Sequence, residues 1–216
     1  MNREAGKSPL KALIGLVVVI ALFASVFLLR PPAPLTIPAD LQTVLWPAPR
    51  QITTFSLVQE EQKPFNLESL ANRWTLIFFG YTNCPDVCPM TLSVMKAVYD
   101  GLADKPAIQG NTQVVFISVD PARDSPEHIG KYVDYFDESF IGATGTVEEI
   151  DAFTKQLSAG YILEEPNEHG AYQVNHTGSI YLIGPKQRIH GAFTPPHIPN
   201  AVIEQYLNVL KLRDKK

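Results

Sequence analysis

Residues 74–90 read WTLIFFGYTNCPDVCPM, and this stretch constrains the fold more than any other. The run 74–79 is rich in aromatic and β-branched residues and too short for an ordinary helix, which predicts a strand buried on both faces. Gly80 ends it. Across residues 89–102, Met90, Val94, Met95, Val98 and Leu102 recur at helical spacing, and Pro89 suits the first helical position, where a missing N–H costs nothing. Cys84 is therefore expected in the turn after a central strand, and Cys88 at or beside a helix start. Free N–H groups and the positive dipole end at such a start favour a thiolate, so the position suits reactive or metal-binding sulfur. The 216-residue chain has no other cysteines.

Residues 12–29, ALIGLVVVIALFASVFLL, carry no charge over 18 positions, about the length that crosses a hydrocarbon core. Arg3, Lys7 and Lys11 precede it, and the positive-inside rule then puts residues 1–11 in the cytoplasm and the remainder on the exported side. A cleaved signal peptide is the rival reading. Its apolar region would be shorter, roughly 7–15 residues, and no Ala-x-Ala site precedes Arg30-Pro31-Pro32. Either way the body is exported, most simply to a bacterial periplasm, where disulfides can form. Residues 30–48, with Pro31, Pro32, Pro34, Pro38 and Pro47, read as an extended, semi-stiff spacer. That leaves 49–216 as one domain. Residues 1–30 carry a net +3 of the chain's −4, so the body is acidic at −7, which argues against nucleic acid as a partner.

Within the body, residues 52–58 and 64–65 flank the polar Gln59-Glu60-Glu61-Gln62 and read as a hairpin, with a helical turn over 66–71. The strand 74–80 and the helix 89–102 follow. Residues 114–119 form a second buried strand. Asp124-Ser125-Pro126 opens a helix to about 136, with Ser or Asp as cap and Pro in the first turn. Residues 140–143 are a short strand, and Thr146-Val147-Glu148-Glu149 fits a capping box for a helix to about 157. Strands 179–183 and 189–193 bracket Gly184-Pro185-Lys186-Gln187, and residues 198–210 close as a helix. Alternating strands and helices followed by an antiparallel hairpin predict an α/β domain with a mixed sheet and helices on both faces. A redox-type cysteine pair after the central strand makes the arrangement thioredoxin-like, with an N-terminal hairpin and a single transmembrane helix before it.

A structural disulfide is the plain reading of two cysteines in an exported chain. A bridge closing so short a loop constrains the unfolded chain little, and the position at a helix start favours reactivity. A Cys-x-x-Cys pair would point to dithiol exchange; the wider spacing also suits chelation, since soft thiolates select Cu(I), Zn or iron–sulfur centres. A structural zinc wants four ligands, and only two sulfurs exist, so a further ligand has to come from elsewhere. Of five histidines, His128 falls on the solvated face of a helix, His169 in a polar loop, His190 in the last hairpin and His197 before the last helix. His176 differs, because it lies just before strand 179–183, where the loop of a thioredoxin-like sheet packs against the cysteine loop. Trigonal coordination by two sulfurs and a nitrogen suits Cu(I), and further ligands would hold Cu(II). Asp86, between the cysteines, reads first as a solvated carboxylate and second as a supplement to the site. Met90 reads as core at helical spacing with Val94. Asn175-His176-Thr177 matches a glycosylation sequon, but a glycan there would crowd the site.

Residues 79–89, FGYTNCPDVCP, resemble the FGYTxCPDxCP signature of the Sco/SenC family. Three further segments match in order. Residues 116–126, FISVDPARDSP, resemble its SVDPxRDTP segment, with Ser125 for the commoner Thr. Residues 172–177, YQVNHT, resemble its YxVDHS segment, with Asn175 for Asp and Thr177 for Ser. Phe55-Ser56-Leu57 and Pro64-Phe65 are similar to its first hairpin. The resemblance covers about residues 49–212. It implies a membrane-anchored, thioredoxin-like protein that binds copper through Cys84, Cys88 and His176 and helps assemble the CuA centre of cytochrome c oxidase subunit II, receiving copper from an upstream donor. The alternative is a thiol–disulfide oxidoreductase that uses Cys84 and Cys88 to reduce the acceptor's cysteines. A peroxidase is disfavoured, since the chain lacks a Pro-x-x-x-Thr-x-x-Cys pattern.

Overall fold

A computed structural model describes residues 9–28 and 37–214. The chain divides into two units, Met1–Thr36 and Ile37–Lys216. Within the first, helix α1 spans Pro9–Leu28, 20 residues with Lys11 as the one charge. At about 1.5 Å per residue its backbone extends about 30 Å. Among the described residues no helix is long and apolar enough to cross a membrane. Residues 1–8, 29 and 30–36, which include Pro31, Pro32 and Pro34, lie outside the described residues.

The second unit begins earlier than its prolines suggest. Leu41 and Val44 are buried, and strand β1 (Leu45–Gln51) runs antiparallel to a strand near the other end of the chain, Leu45 facing Gly191 and Arg50 facing Ile189. The reading of 30–48 as spacer therefore fails from Ile37 onward. Pro47 and Pro49 gave the wrong signal because a proline lacks only the ladder N–H, and an edge strand can leave that side open.

Strands β2 (Ser56–Gln59) and β3 (Pro64–Asn66) form the expected hairpin. Strand β4 (Trp74–Gly80) is buried at every position. Helix α2 (Val87–Asp100) starts two residues before Pro89, which still sits in the first turn where its missing N–H has no intrahelical partner to lose. A short helix not anticipated from the sequence, α3 (Pro106–Gly110), leads into β5 (Thr112–Ser118), again buried throughout. Helix α4 (Pro126–Asp134) is capped by Ser125, whose side chain accepts from the His128 N–H. After β6 (Ile141–Thr144), helix α5 (Val147–Leu157) has the capping box in full, with Thr146 and Glu149 satisfying each other's backbone N–H. Strands β7 (Tyr161–Leu163) and β8 (Val174–His176) make a separate two-stranded sheet. Strands β9 (Ile180–Gly184) and β10 (Arg188–Phe193) form the last hairpin, and α6 (Pro199–Asp214) closes the chain.

The main sheet has the order β1-β10-β9-β4-β5-β6-β2-β3. Strands β4, β5 and β6 are parallel neighbours, joined by the α2 and α4 crossovers, while β9 lies antiparallel to β4. This is the mixed α/β arrangement that the element order predicted. Strands β9, β4 and β5, each buried at every position, stand side by side at the centre, and the cysteine turn leaves from the end of β4.

Leu41 tests the revised boundary. Leu41→Ala should lower the unfolding free energy by about 2–5 kcal/mol, the usual cost of emptying a buried leucine site, read from urea denaturation. A change below about 0.5 kcal/mol, as expected at an ordinary surface position, would return this segment to the spacer.

Candidate metal centre

Strand β4 delivers the chain to Gly80, and the absence of a side chain there is structural. A Cβ on Gly80 would lie 2.6 Å from Cys88 Sγ and 2.8 Å from a Phe116 ring carbon. The second cysteine thus packs directly onto the strand end. Cys84 follows in the turn, its N–H bonded to Tyr81 O at 3.3 Å. Cys88 lies in the first turn of α2, and its N–H points at Cys84 Sγ, 3.4 Å away. Asp86 occupies the N-cap position but makes no side-chain cap bond. The Cys84 sulfur therefore stands where a capping oxygen would, receiving one of the unpaired amides of the helix start.

His176 arrives from the opposite side as the last residue of β8, not in an irregular loop as its sequence context suggested. Its ring meets the edges of Phe78 and Tyr81 at centroid distances of 5.6 and 6.1 Å. Nδ1 is 3.3 Å from Thr177 O and Nε2 is 3.4 Å from Cys88 Sγ. A carbonyl only accepts, so the proton belongs on Nδ1, and the Nε2 lone pair faces the sulfurs. This is the tautomer a metal-binding imidazole needs. The ligand atoms of Cys84, Cys88 and His176 all lie within 4.8 Å of one another, and among the described residues no other set of His, Cys, Asp and Glu groups is so placed. A cavity of about 320 Å³ opens beside them, bordered by Tyr81, Asp86, Val87, Glu164 and Gln173.

The electrostatics depart from one expectation. A helix start favours thiolate, yet Cys88 is fully buried and burial pushes its thiol well above the usual range. Dipole effects are worth about 1 kcal/mol at a helix end, whereas full burial moves a titration by several pH units, so desolvation wins. Burial likewise lowers the His176 pKa. The resting site is then uncharged at Cys88 and His176, with the Cys88 S–H directed at Nε2. Both cysteines are free thiols.

The residues that fix this geometry were quoted as a motif but given no role by the sequence. Asp124 is 1% exposed. It accepts from the Thr82 N–H at 2.9 Å, from Thr82 Oγ1 at 2.5 Å and from Ser118 Oγ at 2.5 Å. It thereby ties the cysteine turn to the end of β5. The signal available in the sequence was two carboxylates and an arginine set directly after a largely apolar strand, where unpaired polar groups would be costly.

None of the other candidates joins the three-ligand cluster, although Asp86 and Asn175 border the cavity beside it. His128 is exposed as expected, though its Nε2 reaches Thr82 Oγ1 at 3.1 Å. His169 is exposed in a turn, and His197 donates from Nε2 to Gly178 O at 2.7 Å. His190 packs against Trp74, where burial first and then the charges of Arg213 and Arg188 push its pKa down to about 4. Asn175 is exposed and donates to Glu164 at 2.8 Å, and Asp86 is exposed at the cavity rim. Met90 is not core: it is 58% exposed, and neighbouring Val87 is 45% exposed.

Thiol chemistry should follow this asymmetry. In the metal-free reduced protein at neutral pH, iodoacetamide should modify Cys84 at least about tenfold faster than Cys88, because only thiolate reacts and Cys88 is both protonated and buried. Peptide mass mapping over time reads the two rates, and equal rates would contradict the burial argument.

Comparison with known proteins converges on one family. The SCO1/SenC family model matches residues 47–211. A Stutzerimonas stutzeri protein named for copper binding is 37% identical over 153 residues, covering 71% of this chain and 74% of that one. The human mitochondrial protein SCO1 homolog is 38% identical over 131 residues, covering 61% of this chain; the chain spans only 43% of that relative's length. Among solved structures, Arabidopsis thaliana ScoI with copper bound superposes with a TM-score of 0.68 at 29% identity, covering 76% of this chain and 98% of that one. BsSco, whose structure is described in terms of a disulfide switch in a member of the Sco family of cytochrome c oxidase assembly proteins, gives 0.61 at 26% identity, covering 81% and 100%. With a family model that spans most of its length and a relative 37% identical over 71% of it, the chain belongs to the SCO1/SenC family.

Proposed function

We propose that the chain is a copper-binding assembly factor that holds copper through Cys84 Sγ, Cys88 Sγ and His176 Nε2 and passes it to the CuA site of cytochrome c oxidase subunit II. The observation that carries this reading is the convergence of two thiols and one imidazole within 4.8 Å of one another. A donor set of two sulfurs and a nitrogen suits copper, and soft Cu(I) above all. It is one ligand short of a structural zinc site. Copper is cargo here, so an upstream donor has to load it. Loading displaces the Cys88 thiol proton, which makes binding tighter as pH rises.

The anchor belongs to the same proposal. Helix α1 by itself is not long and apolar enough to cross a membrane, so what supports an anchor is the sequence: 18 uncharged residues, 12–29, preceded by Arg3, Lys7 and Lys11. A membrane span there, with residues 1–11 cytoplasmic, holds the folded unit on the exported side, in a bacterial periplasm. An anchor there would keep the site within reach of a partner on the same membrane.

A second reading has its own support. Cys84 and Cys88 are adjacent and free, and BsSco is described as carrying a disulfide switch. In this reading the pair reduces the cysteines of the acceptor by thiol–disulfide exchange. The two readings share a switch, because oxidised sulfur cannot bind the metal.

Copper titration of the reduced protein against His176→Ala separates them. The wild type should bind one copper per chain and the variant at least about tenfold more weakly, which is 1.4 kcal/mol of binding free energy. Thiol–disulfide exchange should survive the substitution. Unchanged copper affinity in His176→Ala would refute the three-ligand site.

A further inference from the structure

His176 stands on a fragile support. Its strand has three residues and pairs only with the three of β7, and a two-stranded sheet is marginal by itself. The approach to it, residues 164–173, is largely exposed. Something from the body has to hold the imidazole against the sulfurs.

Arg123 is placed to do so. Its Nε pairs with Asp120, which is fully buried. Its Nη1 donates to Tyr172 O at 2.9 Å, and the guanidinium lies 3.6 Å over the Tyr172 ring and 5.3 Å from the Tyr81 ring. The Tyr172 hydroxyl returns a bond to Asp120 Oδ1 at 2.8 Å, closing a ring of three residues. Next in the chain, Gln173 accepts from Tyr81 OH at 2.5 Å. Arg123 Nη2 is buried without a hydrogen-bond partner, an arrangement tolerated where aromatic faces attract the cation. These contacts grip the segment three to four residues before His176 and join it to the residues that flank the cysteine turn.

We propose that Arg123 is the positioning residue that keeps His176 within reach of the sulfurs, so that the site takes copper as two sulfurs and a nitrogen and not as a two-sulfur site. This rests on the copper-binding reading above. Lysine cannot replace it, because a point charge lacks both the fork that serves Asp120 and Tyr172 together and the flat face that stacks on the rings.

The test uses the full chain in detergent as wild type, Arg123→Lys, His176→Ala and the double variant. Each is loaded with Cu(II) and examined for imidazole-nitrogen coupling by electron paramagnetic resonance, and copper affinity is read by chelator competition. Arg123→Lys should lose the nitrogen coupling and bind copper about tenfold more weakly, in the range of other losses of support behind a metal ligand. The double variant should be no weaker than His176→Ala within about twofold, since both changes remove one interaction. In the metal-free protein, amides of residues 172–177 should exchange at least about tenfold faster in Arg123→Lys, with β4 and β5 unchanged, as local opening requires. Retained nitrogen coupling with unchanged affinity, or losses that add in the double variant, would overturn the proposal. If Arg123→Lys does not fold, Tyr172→Phe keeps the ring, removes the bond to Asp120 and should shift the same readouts by about threefold; no shift there overturns the proposal equally. Nitrogen coupling that persists in His176→Ala would overturn the three-ligand reading together with it, whereas loss in His176→Ala but not in Arg123→Lys overturns the positioning role alone.

Discussion

A carboxyl group with 1% exposure has to find its hydrogen-bond partners inside the fold, and Asp124 finds them largely in the cysteine turn. Two of its three donors come from Thr82, two residues before Cys84. Loosening the turn would strip those donors from a buried polar group, which is costly to leave unpaired. The turn is therefore held from the end of β5, across the parallel pairing that puts Gly80 beside Ser118. Gly80 then lets Cys88 Sγ settle against the strand end. The geometry of the two sulfurs thus follows from one buried carboxyl group and one missing side chain.

The third donor has a different kind of support. His176 belongs to a small sheet outside the main one, and its ring is steered by Phe78, Tyr81 and the Thr177 carbonyl. A rigid dithiol with a less firmly held imidazole suits exchange of cargo, because a departing metal can give up the nitrogen first and the sulfurs last. Burial keeps the thiol of Cys88 and the ring of His176 neutral, so the empty site does not carry repelling charges at close range. Exposed Val87 at the helix start borders the cavity and leaves it apolar on one side.

Much of this was legible in the chain. The strand at 74–80, the cysteine pair at a helix start and the Thr146 capping box all rest on local rules, and local rules are what a sequence displays. What was missed depended on distant partners. Pro47 and Pro49 suggested a spacer because nothing local reveals that β10 offers an edge on which they are tolerated. Strands of three residues, such as β7 and β8, carry too little pattern to register. Met90 fitted the helical period, but the period does not say which positions the partner strands cover. A thiolate at Cys88 followed from the helix dipole, and the larger desolvation became visible only once Cys88 was seen packed on Gly80. The SVDPARDS segment was recognisable as a motif, while its contacts to both halves of the site, through Asp124 and Arg123, were not.

The central claim is that one metal is held by Cys84, Cys88 and His176 together, and X-ray absorption at the copper edge of the Cu(I)-loaded full chain tests it most directly. The account predicts a first shell of two sulfurs and one nitrogen, with the outer-shell scattering of an imidazole ring. A shell of sulfur alone, or of two sulfurs without imidazole scattering, would contradict it.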